Sequence, residues 1–381
     1  MPRPATSLLA DEAAAIAAID ESLGVISRSV GLLGAATPKD AHVERARLLA
    51  DYARGQERLP RWTYHASVLD HVRRLRDLDA LEVHLRVLDG LALARLYRAR
   101  VDEVRLEILA AAAVGSALFT ELARARFAPS AEHEEAIVLS ASWARAHDPE
   151  PEAETALDAA VPTTPSIASD DRHPRSLVSR LRAEVARRRL PFTVKTSRSM
   201  TALAAISGDT LWVAEGRVLT SLDVERTVVH EIEAHALPRT RARSLAIGLF
   251  AIGTAGGSDD QEGYALWLED ARGVSTAARK RELAARHTAV TLMGAGADFV
   301  SVVRELRRGA VPLESALLVA ERAFRGSHGE SPGLGRERVY LEALVRVRRR
   351  LESRPDDEVV LGAGQVAVAA IDVLRQWVSS A

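Results

Sequence analysis

Val228-Val-His-Glu-Ile-Glu-Ala-His-Ala-Leu-Pro238 is the stretch on which the reading of this chain turns. An apolar run leads into His230, a carboxylate follows directly at Glu231, and a second imidazole stands five positions on at His235. Two imidazoles that chelate one ion must share a helix face, and the familiar arrangement spaces them four apart. Five residues turn an ideal α-helix through about 500°, which leaves the side chains about 140° apart. Two local structures restore a shared face. One is a π-bulge, a feature that favours functional sites. The other is a helix already unwinding at His235, because Pro238 opposes its continuation. A catalytic zinc with one open position needs a third protein ligand. Asp259-Asp-Gln-Glu-Gly-Tyr-Ala265 opens a second amphipathic helix, and Glu262, 27 residues beyond His235, is the candidate. An acidic residue in a first turn also suits the helix dipole, so capping is the competing explanation for Glu262 alone.

Composition narrows the chemistry. The 381 residues include no cysteine, which excludes disulfides, thiolate metal sites and Cys nucleophiles, so a transition-metal site must use His and carboxylate. With 47% apolar residues a sizeable core is available, and a net charge of −1 provides no field towards nucleic acid or an anionic membrane. Only Lys39, Lys195 and Lys280 are lysines; the remaining cations are arginines. Asp11 and Glu12 interrupt the stretch where the apolar part of a signal peptide would run, so a cytoplasmic location is expected. The most apolar segment, Leu245 to Gly257, is too short to span a bilayer and reads as a buried helix.

Outward from the motif, residues 6–35 carry Leu8, Leu9, Ala15, Ile16, Ile19 and Leu23 at helical spacing, and Thr37-Pro38 ends that run. A second helix extends to about Ala53, residues 58–64 are extended before and after Pro60, and long helical patterns fill Leu69 to Ala128 and about 131–146. Residues 148–174 carry five prolines with Asp and Ser and read as a connection. A basic amphipathic helix covers 175–189. The period then changes to two at 192–196, 202–206 and 211–214, with Gly208-Asp209 as a hairpin turn. Thr220-Ser-Leu-Asp223 forms a capping box, and helix resumes to the C-terminus apart from a Gly-rich loop at 326–335. The fold class is therefore α+β, mainly α. Its parts are an N-terminal helical region (1–147), the Pro-rich connection (148–174) and a catalytic region (175–381) with a small sheet and C-terminal helices. Arg304-Glu-Leu-Arg-Arg308 and Arg346-Val-Arg-Arg-Arg350 alternate with Glu and aliphatic residues and read as solvated helix faces; few aromatics interleave, which argues against single-stranded nucleic acid.

The pairing of His-Glu-Ile-Glu-Ala-His (230–235) with Gln-Glu-Gly-Tyr-Ala (261–265) resembles the His-Glu-Ile-Gly-Thr-His and Gln-Glu-Gly-Leu-Ala pairing of the QEGLA-motif family. That family includes bacterial proteins named as flavohemoglobin-expression modulators and the microtubule-associated tyrosine carboxypeptidases. Weaker matches extend the resemblance over most of the chain: Leu59-Pro-Arg-Trp-Thr-Tyr64, Gly115-Ser-Ala-Leu-Phe-Thr120, Arg325-Gly326 and Arg336-Glu-Arg-Val-Tyr-Leu341. The resemblance implies a helical bundle with a small β-sheet flanking a zincin-like paired-helix metal site. It implies one Zn2+ held by His230, His235 and Glu262, and Glu231 as the catalytic base. The departures are Glu233-Ala234 in place of Gly-Thr, and Arg336-Glu337 in place of Lys-Asp.

The activity so implied is that of a zinc metallopeptidase of the carboxypeptidase type, acting on a peptide or protein C-terminus. Tyr340 is the candidate for stabilising the oxyanion. Arg325 and Arg336 are the candidates for gripping the terminal carboxylate, a task suited to a bidentate guanidinium. Two alternatives stand beside it: a zinc-dependent amidase or peptide-maturation hydrolase acting on a non-C-terminal amide, and a non-catalytic helical binding protein with structural zinc. No nucleic-acid or membrane partner is expected.

Overall fold

Ile16, Ile19, Leu23 and Ile26 recur at helical spacing, and all four are buried. They seat the helix Ala10–Val30 against Ala92–Ala113, whose Tyr97, Val101, Val104 and Ile108 face the same core. The computed structural model describes residues 8–65, 70–147, 167–198, 200 and 202–378. The greater part of the Pro-rich connection, 148–166, lies outside these. The C-terminal residues Val347, Val366, Ile371 and Leu374 complete the cluster begun by the N-terminal helices, so one core spans both ends of the described chain. No helix among the described residues is long and apolar enough to cross a membrane.

Strands are few. β1 (Ile167–Ala168) pairs antiparallel with β5 (Val218–Leu219), while β2 (Thr193–Ser197), β3 (Ala204–Ser207) and β4 (Thr210–Ala214) form a sheet in the order β2-β4-β3. The β3–β4 hairpin turns at Gly208-Asp209 as its residues require, with Gly208 at φ +56°. β2 runs parallel to β4, a pairing that alternation alone does not specify. The C-terminal end of the Pro-rich segment is also tied down: β1 lies there, and the buried Ser169 hydroxyl donates to the Ala214 carbonyl at 2.5 Å. Leu211, Val213 and Ala204 pack with the helix Leu177–Arg187 and with Val228 and Ile232, which holds the sheet beside the motif.

Three expectations need correction. Within Leu245 to Gly257, Ile247, Leu249, Phe250 and Ile252 are buried but Ala246 and Ala251 are exposed, and before Gly257, which opens the next helix, only Leu249–Ile252 is helical. Gly253 and Gly256 take φ +93° and +71°, and residues 250–254 pair with Gln365 instead: its N–H donates to Phe250 O at 2.9 Å and its carbonyl accepts from Thr254 at 3.0 Å. Glu262 is the sixth residue of the helix Gly257–Ala271 and so lies in its second turn; the first turn carries Asp259 and Asp260, which pair with Arg126 and Arg346. Arg346 is accordingly no solvated-face residue. It bridges Asp260 (2.5 Å) and Glu132 (2.6 Å).

The helix Gly257–Ala271 packs along Val339–Ser353, and Gly263 makes the contact close. A Cβ at Gly263 would stand 2.4 Å from the Ala343 carbonyl carbon, closer than backbone atoms tolerate. Gly263→Ala is therefore expected to destabilise the fold by about 1–3 kcal/mol, the usual range for overpacking. Chemical denaturation measures this; unchanged stability would show that the two helices do not approach as described.

Candidate metal centre and active site

The helix entering the motif, Ser221–Val228, begins at Thr220, whose hydroxyl accepts from the Asp223 N–H while Asp223 reaches back to the Thr220 N–H. The chain then widens into a π-helix, Val229–Ala236, and the Leu237 N–H reaches the Ile232 carbonyl five residues back. This is the first of the two local structures that the five-residue spacing permits. The helix does not end at Pro238 but continues as Leu237–Ala242, with the proline at its start, where a missing N–H is tolerated. The wider turn puts His230 and His235 on one side, with ring centroids 4.9 Å apart.

The helix Gly257–Ala271 lies against this segment and supplies Glu262. One potential ligand atom from each of His230, His235 and Glu262 lies within 4.8 Å of the other two. His230 Nε2 is 3.5 Å from Glu262 Oε2, while its Nδ1 is 2.8 Å from Glu269 Oε1. Glu269, 1% exposed, thus stands behind the imidazole and fixes its tautomer and orientation, the usual outer-shell arrangement at histidine metal ligands. Sequence reasoning missed it, although position i+7 from Glu262 places both carboxylates on one helix face.

The electrostatics of the three side chains differ. Burial opposes ionisation of Glu262, but the His230 hydrogen bond and the Arg336 charge outweigh it, and its pKa falls well below the usual value. Burial lowers the His235 pKa to about 4. A carboxylate and a neutral imidazole are the forms that donate lone pairs to a cation. For His230 burial is outweighed by the hydrogen bonds to Glu262 and Glu269, which raise its pKa to about 10. The same carboxylates that favour a proton on this ring favour any cation beside it.

Glu231, on the π-helix next to His230, is 6% exposed, and burial pushes its pKa up to about 7. Among the described residues no hydrogen bond or ion pair claims it, and it lines two adjoining cavities of about 550 and 670 Å3. Both cavities also reach His230, Arg322 and Tyr340. Tyr340 lies 7% exposed at the start of Val339–Ser353, and the Arg336 Nη1 stands 3.4 Å from its hydroxyl. Arg336 also pairs through Nη2 with Glu262 Oε1 at 3.1 Å. It therefore braces two site residues at once. Arg325 differs: its guanidinium lines the larger cavity, is 6% exposed and has no ion-pair partner among the described residues, and burial lowers its pKa to about 10. The second glutamate of the motif, Glu233, points elsewhere and joins Arg188 (3.0 Å) to Arg272 (2.9 Å), while Ala234 is fully buried. The departure at 233–234 thus serves packing outside the cleft.

The weaker motif segments converge on the loop after Arg325. Tyr64 donates its hydroxyl to Ser327 O at 2.5 Å and accepts from the Gly326 N–H at 3.1 Å. Gly115 N–H donates to Gly326 O at 2.9 Å, and the Thr120 hydroxyl to Pro332 O at 2.8 Å. Gly326 itself, at φ +84°, leaves a Cβ no room beside the Phe119 ring, where it would lie 2.1 Å away.

A family model described as microtubule-associated tyrosine carboxypeptidase matches residues 51–380. The chain belongs to that family. The match takes in His230, His235 and Glu262, with Glu231, Arg325, Arg336 and Tyr340, and each segment that meets at the 326–332 loop. No curated protein matches the chain.

Proposed function

We propose that the chain is a zinc-dependent carboxypeptidase that releases the C-terminal residue of a peptide or protein in the cytoplasm. One observation carries this reading: His230, His235, Glu262, the Glu231 carboxylate and the Arg325 guanidinium line one cleft, the last two without an ion-pair partner among the described residues. Two imidazoles and a carboxylate form the protein donor set of a catalytic zinc. An ionised Glu262, a neutral His235 and the Glu269 carboxylate behind His230 fit that ion. When bound, zinc supplies Lewis acidity that polarises a carbonyl and acidifies water to a pKa of about 7. Glu231 accepts the attacking water's proton and delivers it to the leaving nitrogen. The Tyr340 hydroxyl donates to the developing oxyanion. Arg336 keeps Glu262 and Tyr340 in register, and Arg325 grips the substrate carboxylate. The family description names tyrosine as the residue released and microtubules as the associated structure. Of that description, the Arg325 geometry supports the C-terminal release.

Arg325 provides a specificity test. Charge-assisted hydrogen bonds contribute about 1.5–3 kcal/mol, so Arg325→Gln is expected to lower kcat/KM on free-acid peptides by about 10–100-fold. Slow turnover of C-terminally amidated peptides should not change. Equal loss on both substrates would remove Arg325 from carboxylate recognition. A second reading, hydrolysis of an internal amide, draws on the two cavities that share His230, Glu231 and Tyr340 in their walls. It predicts that amidated peptides are cleaved as fast as free acids.

A further inference from the structure

We propose that His133, His287 and Glu342 form a second zinc site, completed by water and separate from the active-site cluster. The three residues come from distant parts of the chain. His133 opens the helix His133–Trp143, His287 lies within Ala277–Gly294, and Glu342 is in the first turn of Val339–Ser353. One ligand atom from each lies within 4.8 Å of the other two.

His287 provides the independent observation. It is 1% exposed, and among the described residues neither ring nitrogen has a hydrogen-bond partner of normal geometry, its one polar contact being a poorly aligned one with the Arg338 backbone. A buried imidazole with both nitrogens unused is rare in a folded protein and calls for a partner. The other two ligands are already oriented. Glu342 accepts the Ser130 N–H on Oε2 at 2.9 Å and meets His133 Nδ1 through Oε1 at 2.8 Å. The Ser130 N–H comes from outside the trio and orients the carboxylate as an outer partner does at a metal site, while the His133 contact already holds two of the three ligands within reach of one ion. Two imidazoles and a carboxylate select a borderline ion such as zinc over magnesium or calcium, which prefer all-oxygen sets. A cavity of about 500 Å3 has His133, Thr291 and Arg338 in its wall and so reaches the His133 edge of the trio.

Each site has an arginine beside its carboxylate: Arg336 Nη2 lies 3.1 Å from Glu262 Oε1 at the first, and here the arginine is Arg338. Its Nη1 lies 3.7 Å from Glu342 Oε1, and its positive charge opposes a divalent cation there. The active-site cluster has Glu231 and Glu269 beside its ligands, so it fills first. Among the described residues Arg338 Nε and Nη1 also lack hydrogen-bond partners, so the chemistry that competes with zinc here is an anion held by Arg338 and His287. A zinc ion at this position ties three helices together. It steadies the start of Val339–Ser353, the turn that presents Tyr340 to the cleft two residues before Glu342.

The test is a zinc titration of chelator-stripped, full-length protein, read by mass spectrometry and by thermal melting. Wild type should bind two equivalents, His230→Ala one, His287→Gln one, and the double variant none. His133→Ala, at a partly exposed position, should also bind one, and it gives the same reading if His287→Gln does not fold. Co2+ added to His230→Ala should develop visible d–d absorption that is lost on adding His287→Gln or His133→Ala. A single equivalent in wild type and none in His230→Ala overturns the proposal. So does a His230→Ala protein that is stabilised by inorganic phosphate but not by zinc.

Discussion

Replacing His230, His235 or Glu262 by alanine is expected to remove one equivalent of zinc from the chain and all measurable turnover. The three side chains come from two packed helical segments, and each provides a single ligand atom to the cluster. Loss of an outer-shell partner alone costs about 10–100-fold in metal affinity, so loss of a direct ligand costs more. The consequences differ among the three. His235→Ala removes a buried neutral ring. Glu262→Ala also strands Arg336, whose Nη2 loses its carboxylate partner at 3.1 Å, so that variant should lose the most thermal stability. Elemental mass spectrometry of protein purified without a metal-affinity tag measures the metal. Retention of the wild-type content in all three variants would sink the ligand assignment.

The second large effect separates catalysis from binding. Glu231→Gln keeps the size and polarity of the side chain but cannot accept a proton. General acid–base contributions of about 10²–10⁴ in rate set the expected loss of turnover. Zinc content should stay at the wild-type level, because Glu231 is not among the three converging ligands. Folding stability should be unchanged or slightly higher, since a buried carboxylate with no ion pair is replaced by a neutral amide. If Glu231→Gln loses zinc as His230→Ala does, Glu231 is a ligand. If it keeps both zinc and full activity, the base lies elsewhere. Glu233 is a poor substitute, as Arg188 and Arg272 already hold it outside the cleft.

Much of this site was legible in the sequence, because local rules govern it. The five-residue spacing of His230 and His235 conflicts with a regular α-helix, and the π-helix resolves that conflict where it arises. Thr220 and Asp223 specify a helix start within four residues, and Gly208-Asp209 a hairpin turn. What was not legible depends on contacts between distant segments. Nothing near Leu245–Gly257 announces that Gln365 will take its backbone hydrogen bonds and limit its helix to four residues. The pairs Arg346–Asp260, with its aspartate buried, and Arg126–Asp259 look like ordinary charged positions along their helices, because the packing that distinguishes them is tertiary. Arg325 and Arg336 could not be told apart by motif. Their geometry differs because Glu262 and Tyr340 occupy Arg336, whereas Arg325 has no ion-pair partner among the described residues.

The central claim is metal-dependent release of a C-terminal residue, and a single measurement addresses it most directly. Purified protein with its zinc is incubated with a library of peptides that end in a free carboxylate, beside the same peptides amidated, and released amino acids are identified by mass spectrometry. The predicted result is release from the free-acid series, abolished by a chelator, restored by zinc, and reduced about 10²–10⁴-fold in Glu231→Gln. Zinc-loaded, folded protein that releases no residue from any free-acid peptide, or releases it equally well as Glu231→Gln, would contradict the account.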